Sequence, residues 1–329
     1  MSFKVAVNPV SAPGRTLPRY PRNRRAAYHG EVSEAWSSRP PAHDARNHLP
    51  AGSRQERFEL LETIGRGGMA VVHAALDRAS GRRVALKRLQ APRSEQLQTR
   101  NLEAFEREYH TLAQLAHPRV VEVYDFGVDL EGPHYTMELL DGGDIQQLGR
   151  VPWRRACEIA RDVCSALSLL HSRRLVHRDV RPRNVRCTSD GRAKLIDFGA
   201  VAPAGPCKVL VGTPPCCAPE SVQFQALDGR TDLFALGATL YFMLVGEHAY
   251  AARHVGSLQD AWLQGFARPS ARVPDIPDAL DELVLDLLRL QPDARPPAPR
   301  RWCSGWLASM VRRCPTSCTS RTSISRRRR

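Results

Sequence analysis

The sequence predicts an α+β fold, with strands concentrated in the first half of the chain and helices in the second. Residues 58–64 and 71–76 are β-like and are separated by a run of glycines. Residues 151–170 and 280–290 instead carry apolar side chains at helical spacing. Hydrophobic residues make up 42% of the 329-residue chain, which is enough for a substantial core. This length fits one large domain, or two lobes with tails.

The net charge of +14 lies in the two ends of the chain. Residues 1–56 carry +5 and residues 300–329 carry +9, so residues 57–299 are formally neutral. Residues 1–56 show no sustained period, and the strongly basic residues 300–329 do not resemble a folded domain, which predicts a disordered Pro/Arg-rich leader over 1–56 and a basic, disordered tail over 300–329. Nucleic-acid binding through these ends is a remote alternative, and we expect no specific nucleic-acid partner.

Nothing in the sequence predicts a membrane span or secretion. The longest apolar run, residues 233–246, is too short to span a bilayer and contains glycine, so we expect a buried helix there. The N-terminus lacks the apolar stretch of a signal peptide. The nine cysteines show no metal-ligand spacing and are expected to be reduced thiols. These features favour a cytoplasmic protein.

A polar segment at 177–184 reads His-Arg-Asp-Val-Arg-Pro-Arg-Asn and lies between two apolar segments. The triplet Asp197-Phe198-Gly199 follows the second of them. Taken alone, the polar segment also fits a turn between two buried strands. Phosphoryl transfer from ATP requires a carboxylate for the substrate hydroxyl, oxygen ligands for Mg²⁺ and cations around the phosphates. The polar segment and the triplet supply residues of all these types.

Segments 177–184 and 197–199 resemble the catalytic loop and the metal-binding triplet of protein kinases. The resemblance extends over about residues 58–296 and is closest to bacterial eukaryotic-type Ser/Thr kinases. It implies a two-lobed α+β fold, with a small antiparallel β-sheet and one helix over 57–141 and a mostly helical lobe over 142–299. It also implies ATP and Mg²⁺ as cofactors, and a protein substrate with Ser or Thr.

The resemblance assigns roles to the polar residues of these segments. It implies that Asp179 accepts the proton of the substrate hydroxyl and that Arg181 places positive charge near the phosphates. Asn184 and Asp197 are the implied ligands of Mg²⁺. Arg181 replaces the lysine that the family usually has, which keeps the charge but alters its geometry. The Arg181-Pro182 pair favours Ser/Thr over Tyr specificity.

The glycine-rich segment from Gly65 to Ala70 lies between two β-like segments. Glycines let backbone amides approach phosphates closely, and a dinucleotide-binding loop uses similar glycines. A dinucleotide loop opens a helix, whereas β-like residues 71–76 follow here, as in the kinase loop. Ala70 replaces the family's third glycine, and we expect little loss from this small residue. The implied nucleotide contacts in and around the loop are Ile64, Gly65, Gly67, Gly68 and Val72.

Val84-Ala85-Leu86-Lys87 resembles the strand whose lysine holds the α- and β-phosphates. The alternative is an ordinary exposed strand lysine. The resemblance implies that Ala85 caps the adenine from above. Residues 101–116 have the apolar spacing of a helix. Within them Glu108 resembles the glutamate that pairs with Lys87, and Glu106 is the competing candidate.

Residues 135–143 resemble the hinge between the two lobes, although an ordinary strand and turn would look similar. The resemblance implies that the backbone of Glu138 and Leu140 bonds adenine and that Met137 guards the back of the pocket. Arg186 stands where the family usually has an apolar residue under the adenine, and it either stacks there or swings out. These departures at positions 70 and 186 leave a pseudokinase, a nucleotide-sensing or scaffold module, as the alternative to an active enzyme.

The activation segment, residues 197–220, has Thr213 as its one Ser or Thr. We expect Thr213 to bond Asp179. The usual activating phosphosite is therefore missing, although Arg178, which would bind such a phosphate, is present. We expect the segment to be held by packing, by a partner protein or by an acidic residue elsewhere. Arg295 resembles the arginine that pairs with Glu220 at the end of the segment.

Overall fold

The computed structural model describes residues 57–91 and 95–297. The expected leader and tail lie outside these residues. The α+β fold predicted from the sequence is present, and the part up to the hinge consists of a five-stranded sheet and one helix. Its elements are β1 (Phe58–Arg66), β2 (Ala70–Asp77), β3 (Arg82–Leu89), α1 (Glu95–Ala113), β4 (Val123–Asp129) and β5 (Gly132–Glu138).

The part after the hinge is mostly helical and contains short two-stranded ribbons, as predicted for the second lobe. Its helices are α2 (Ile145–Leu148), α3 (Trp153–Ser172), α4 (Pro219–Val222), α5 (Gly229–Val245), α6 (Leu258–Gln264), α7 (Pro269–Arg272) and α8 (Asp278–Leu287). Its strands are β6 (Leu175–Val176), β7 (Val185–Cys187), β8 (Ala193–Leu195), β9 (Ala202–Pro203), β10 (Gly205–Pro206) and β11 (Ala226–Leu227).

The sheet is antiparallel throughout, with the strand order β1-β2-β3-β5-β4. Its register places Val72 opposite Lys87, and Lys87 opposite Tyr135. Residues directly opposite one another share a face of the sheet, so these three side chains form a row. Helix α1 packs Phe105 against Tyr135, with ring centroids 5.0 Å apart. The register therefore aims the lysine at the helix that carries the candidate glutamate.

Helix α1 differs from the predicted 101–116 at both ends. It starts earlier because residues 95–100 are mostly good helix formers. The described side chains of that stretch are exposed, so the sequence there shows no helical spacing of apolar residues. It ends earlier because Leu115 N–H bonds the Leu112 carbonyl in a tight turn that leads into His117-Pro118.

Helix α5 is the centre of the helical part and is buried on all sides from Thr231 to Leu244. A mostly apolar helix that is buried on all sides is expected only in an interior, and this matches the buried helix predicted at 233–246. A Cβ at Gly237 would lie 2.7 Å from the Leu287 Cβ, so glycine is what allows α5 and α8 to approach this closely. The helix ends at Gly246 in the left-handed conformation, φ 89°.

The described cysteines differ in redox state. Cys157, Cys187, Cys207, Cys216 and Cys217 are free thiols. Cys164 is disulfide-bonded, so the expectation of reduced thiols is wrong at that position. Among the residues that the structure describes, no helix combines the length and apolar character that a membrane crossing requires.

Candidate active site

The side chain of Asp179 is buried and surrounded by polar partners. Asn184 Nδ2 donates to its carbonyl oxygen at 2.8 Å and to its Oδ2 at 2.9 Å. Arg181 Nε lies 3.3 Å from the same Oδ2. Thr213 Oγ1 donates to Oδ1 at 3.4 Å, as expected from the sequence. These contacts fix the carboxylate at 5% exposure, with both oxygens oriented by neighbours on two different segments.

The backbone of the catalytic loop is held by helix α5. The Asp232 carboxylate, which is fully buried, accepts the N–H groups of His177 and Arg178, each at 2.9 Å, and lies 2.8 Å from His171 Nε2. Arg178 has a φ of 66°, a conformation that costs a non-glycine residue about 1–3 kcal/mol. The Asp232 bonds stabilise this strained backbone immediately before Asp179.

Lys87 and Glu108 form a buried ion pair, so the structure brings together the two residues that the resemblance paired. Lys87 Nζ lies 2.6 and 2.8 Å from the two Glu108 carboxylate oxygens. Tyr135 donates its hydroxyl to Glu108 Oε1 at 3.0 Å. Burial, the largest single influence, would lower the pKa of Lys87, but the charges of Glu108, Tyr135 and Asp197 and the hydrogen bond to Glu108 together outweigh it and hold that pKa well above its usual range. The competing candidate, Glu106, forms no ion pair with Lys87.

Asp197 and Asn184, the two predicted ligands of a cation, each carry a side-chain oxygen. Asp197 Oδ1 is 4.0 Å from Lys87 Nζ, so it lies where the sheet meets the helical part. Burial favours its protonated form, but the charges of Lys87 and Arg181 outweigh burial and hold its pKa below the usual value. Both bonds from the Asn184 amide nitrogen go to Asp179, which leaves the amide oxygen as a ligand atom. A divalent cation prefers such oxygen ligands.

The glycine-rich loop joins two antiparallel strands, β1 and β2, and does not open a helix. The strand-to-strand geometry contradicts the dinucleotide alternative. Gly67 N–H bonds the Ala70 carbonyl at 2.8 Å to close the turn, and a Cβ at Gly68 would meet nothing within 4 Å. Gly65 lies opposite Val72 in the ladder. The loop therefore presents exposed backbone of the kind that cradles phosphates.

The predicted hinge begins at the end of β5. Met137 lies opposite Ala85 in the sheet, so these two predicted pocket residues are neighbours. Glu138 N–H donates to the Glu122 carbonyl at 2.8 Å, which leaves the Glu138 carbonyl as its candidate group for adenine. Leu140 is buried, and Ile64 is half-buried at the end of β1.

Arg186, on β7, is tied to the hinge. Its Nε donates to the Gly142 carbonyl at 3.1 Å, and its side chain is half-buried. A Cβ at Gly142 would lie 2.3 Å from the Cys187 carbonyl, so hinge and β7 touch backbone to backbone. The guanidinium is therefore tied to the hinge backbone and does not swing out. Lys194 Nζ on β8 adds a second link, 2.5 Å from the Glu138 carboxylate.

The activation segment is held by backbone pairing within the chain. Strand β9 pairs with β6, which precedes the catalytic loop, and β10 pairs with β11. Arg178 Nε donates to the Ala200 carbonyl at 2.6 Å, so this arginine binds the segment without a phosphate. Cys207 and Leu210 are buried along the same segment.

The end of the activation segment is fixed by a buried ion pair, as the resemblance predicted. Arg295 Nη1 and Nη2 donate to the two Glu220 carboxylate oxygens at 2.6 and 2.8 Å. Three backbone carbonyls also accept from the same guanidinium. Thr231 Oγ1 donates to Glu220 at 2.9 Å.

Sequence reasoning missed two residues of this site, Tyr135 and the anchoring role of Asp232. The strand register, which places Tyr135 opposite Lys87, would have revealed the first. The second depends on how α5 packs against the catalytic loop, and no local pattern signals that contact.

Comparison with known proteins agrees with this geometry. The family model described as "Protein kinase domain" matches residues 58–307. The DNA damage-responsive serine/threonine-protein kinase RqkA of Deinococcus radiodurans is 37% identical over 254 residues, covering 73% of this chain and 37% of the relative. Serine/threonine-protein kinase PksC of Streptomyces coelicolor is 34% identical over 262 residues, covering 74% of this chain and 47% of the relative. Serine/threonine-protein kinase PknB of Mycolicibacterium smegmatis is 35% identical over 263 residues, covering 73% and 41%.

The chain thus spans less than half the length of these relatives. The family match covers most of the chain and includes every element of the site described above. With an antiparallel sheet over a helical lobe and the ordered set of motifs between them, this chain belongs to the protein kinase domain family.

Proposed function

We propose that this chain is an ATP- and Mg²⁺-dependent protein kinase that phosphorylates serine or threonine. The observation that carries the proposal is that two groups of side chains are assembled in the same structure. Lys87 is paired with Glu108 and lies 4.0 Å from Asp197, while Asp179 is held by Asn184. A kinase needs both arrangements at once for transfer.

The residues present fit Mg²⁺ and ATP. Asp197 and Asn184 supply one carboxylate and one amide oxygen, and Mg²⁺ is usually held by few protein ligands together with substrate phosphates. Among the described residues, no cluster of three or more His, Cys, Asp or Glu side chains is arranged to hold a metal ion. Magnesium would neutralise the charge that develops on the phosphates.

Side chains of the protein perform the other steps of phosphoryl transfer. Asp179 orients the substrate hydroxyl and accepts its proton as the new oxygen–phosphorus bond forms, and ADP departs. Lys87 holds the phosphates in line, and Glu108 with Tyr135 fixes the position of Lys87. Arg181, beside Asp179, supplies positive charge at the transferring group.

Serine/threonine specificity is supported by Arg181 and by the names of the relatives, which are serine/threonine-protein kinases. No observation favours the pseudokinase alternative, since Arg186 is tied to the Gly142 carbonyl and the Lys87–Glu108 pair is formed. The ordered activation segment supports packing within the chain over a partner protein as the device that holds it. The cytoplasmic location stays a prediction of the sequence.

The test is transfer of labelled phosphate from ATP to generic acidic and basic proteins. Asp179→Asn should reduce transfer by on the order of 10²–10⁴-fold while ATP still binds, because Asp179 serves the hydroxyl and not the nucleotide. Asp275→Asn, an exposed aspartate on the segment before α8, is the matched control and should transfer at the wild-type rate. Absence of Mg²⁺-dependent transfer by the wild type, or wild-type transfer by Asp179→Asn, would refute the proposal.

A further inference from the structure

The surface beside Asp179 carries an excess of positive charge. Residues 180–189 contain three arginines and no acid, and residues 198–219 contain Lys208 as their one charged residue. Each of these two segments contributes a contact to the Asp179 carboxylate. A substrate hydroxyl that reaches this carboxylate must therefore lie against both segments.

Two of the three arginines are already committed to other groups. Arg181 is paired with Asp179, and Arg186 donates to the Gly142 carbonyl. Arg183 differs, because its side chain is exposed and forms no hydrogen bond or ion pair with any residue that the structure describes. It stands between Pro182 and Asn184, both buried, in one turn of 3-10 helix. Its backbone is thus fixed one residue from the side chain that binds Asp179.

Lys208 is fixed in a similar way on the activation segment. Its neighbour Cys207 is buried and bonds the Gln225 carbonyl through its N–H at 3.1 Å, and Leu210 is 2% exposed. Lys208 itself is exposed, and across the described residues it has no ion-pair partner.

Two carboxylates near this surface, Asp144 and Asp141, bind backbone N–H groups and not the two exposed cations. Helix α2 packs against the 3-10 turn of Arg183. Asp144, before α2, accepts the Gln147 N–H at 2.9 Å, and Asp141 accepts the Ser189 N–H at 2.8 Å. Neither carboxylate forms an ion pair with Arg183 or Lys208. Arg183 and Lys208 are therefore exposed cations near Asp179 whose charges no carboxylate of the described residues pairs with directly.

We infer that the substrate surface selects acidic segments, with aspartate or glutamate flanking the serine or threonine that is phosphorylated, through Arg183 and Lys208. The inference rests on the proposed kinase function. Charge complementarity favours the matching partner, and like charges brought together penalise a basic one. The effect should weaken as salt rises, because exposed charges are screened over about 8 Å at physiological ionic strength.

The experiment compares two peptides that differ only in the residues flanking a central serine, glutamate in one and lysine in the other. Phosphorylation is followed with ATP and Mg²⁺, and binding is followed separately with fluorescent versions in which alanine replaces the serine. Wild-type protein should show a KM and a Kd about three- to tenfold lower for the acidic peptide, with the difference shrinking at high salt.

Variants identify the residues that cause the preference for the acidic peptide. Arg183→Glu should reverse the preference, and Arg183→Gln should abolish most of it without introducing a new charge. Lys208→Glu should weaken it. Arg83→Glu is the matched control, because Arg83 is an exposed arginine at the β2–β3 end of the sheet. It should leave the preference unchanged.

The two readouts separate the inference from the proposed function. Phosphorylation without an acidic preference, or a preference that Arg83→Glu alters as much as Arg183→Glu does, would overturn the inference and leave the kinase proposal standing. An acidic preference in binding that depends on Arg183, without any phosphorylation, would support the inference and refute the kinase proposal. If the protein neither bound nor phosphorylated the peptides, both the inference and the kinase proposal would be rejected.

Discussion

The Glu220–Arg295 pair offers a quantitative test of what holds the end of the activation segment. Arg295→Met would leave the Glu220 carboxylate buried at 2% exposure without its cation. Removing one partner of a buried pair typically costs about 3–5 kcal/mol of the free energy of unfolding. Three backbone carbonyls would also lose their donor, so the cost should lie at or above the upper end of that range.

A second substitution, at Glu220, tests whether the unpaired buried charge causes the loss of stability. Glu220→Gln in the Arg295→Met background removes the unpaired charge but keeps the size of the side chain. The double variant should therefore be more stable than Arg295→Met alone, although less stable than the wild type, because the carbonyls remain without donors. Urea unfolding followed by circular dichroism and by tryptophan fluorescence gives the free energies.

The control is Arg289→Met. Arg289 pairs with Asp286 at 3.2 Å, but its side chain is 55% exposed, so the loss should stay below about 1 kcal/mol. If Glu220→Gln lowered the free energy of unfolding of Arg295→Met further, the losses from the two substitutions would be additive. The argument that an unpaired buried charge causes the loss would then be wrong.

Three further predictions concern the nucleotide and the activation segment. Lys87→Met and Glu108→Ala should each abolish most activity, and their losses should be strongly non-additive in a double-mutant cycle, since each acts through the other; additive losses would contradict the pairing. Arg186→Leu should change the Kd for ATP only modestly, measured by calorimetry, because the guanidinium is held at the Gly142 carbonyl; a clearly tighter Kd would mean that arginine obstructs the pocket. Phosphatase treatment should leave activity unchanged, since Arg178 already binds a backbone carbonyl; phosphate at Thr213 by mass spectrometry, with activity lost on its removal, would refute this.

The strands and the order of the motifs could be predicted because they depend on local residue types. The Lys87–Glu108 pair could be named from motif resemblance, but its geometry depends on the register of β3 against β5 and on the packing of α1. The start of α1 was misplaced because its first turns have no apolar face. The bonding of Arg186 could not be predicted, since stacking and swinging out were equally consistent with one arginine in a strand.

The activation segment shows a second limit of prediction from the sequence. The absence of a phosphorylatable residue before Thr213 was readable directly, and it raised the question of what replaces the phosphate. The answer lies in two-residue ribbons, β6 with β9 and β10 with β11. Such short pairings leave almost no periodic signal, because they contain too few residues to repeat a pattern.

The bonds from Asp232 to the catalytic loop have a consequence for how the protein loses activity. Loops commonly open at low free energy, independently of the core. Here the amides of His177 and Arg178 are bonded to a carboxylate in the first turn of α5, the most buried helix. These amides can exchange with solvent only when that turn opens, so the loop and the core form one cooperative unit. A variant that loosens α5 would therefore lose catalysis at the same denaturant concentration at which it loses its fold, with no inactive but folded stage between.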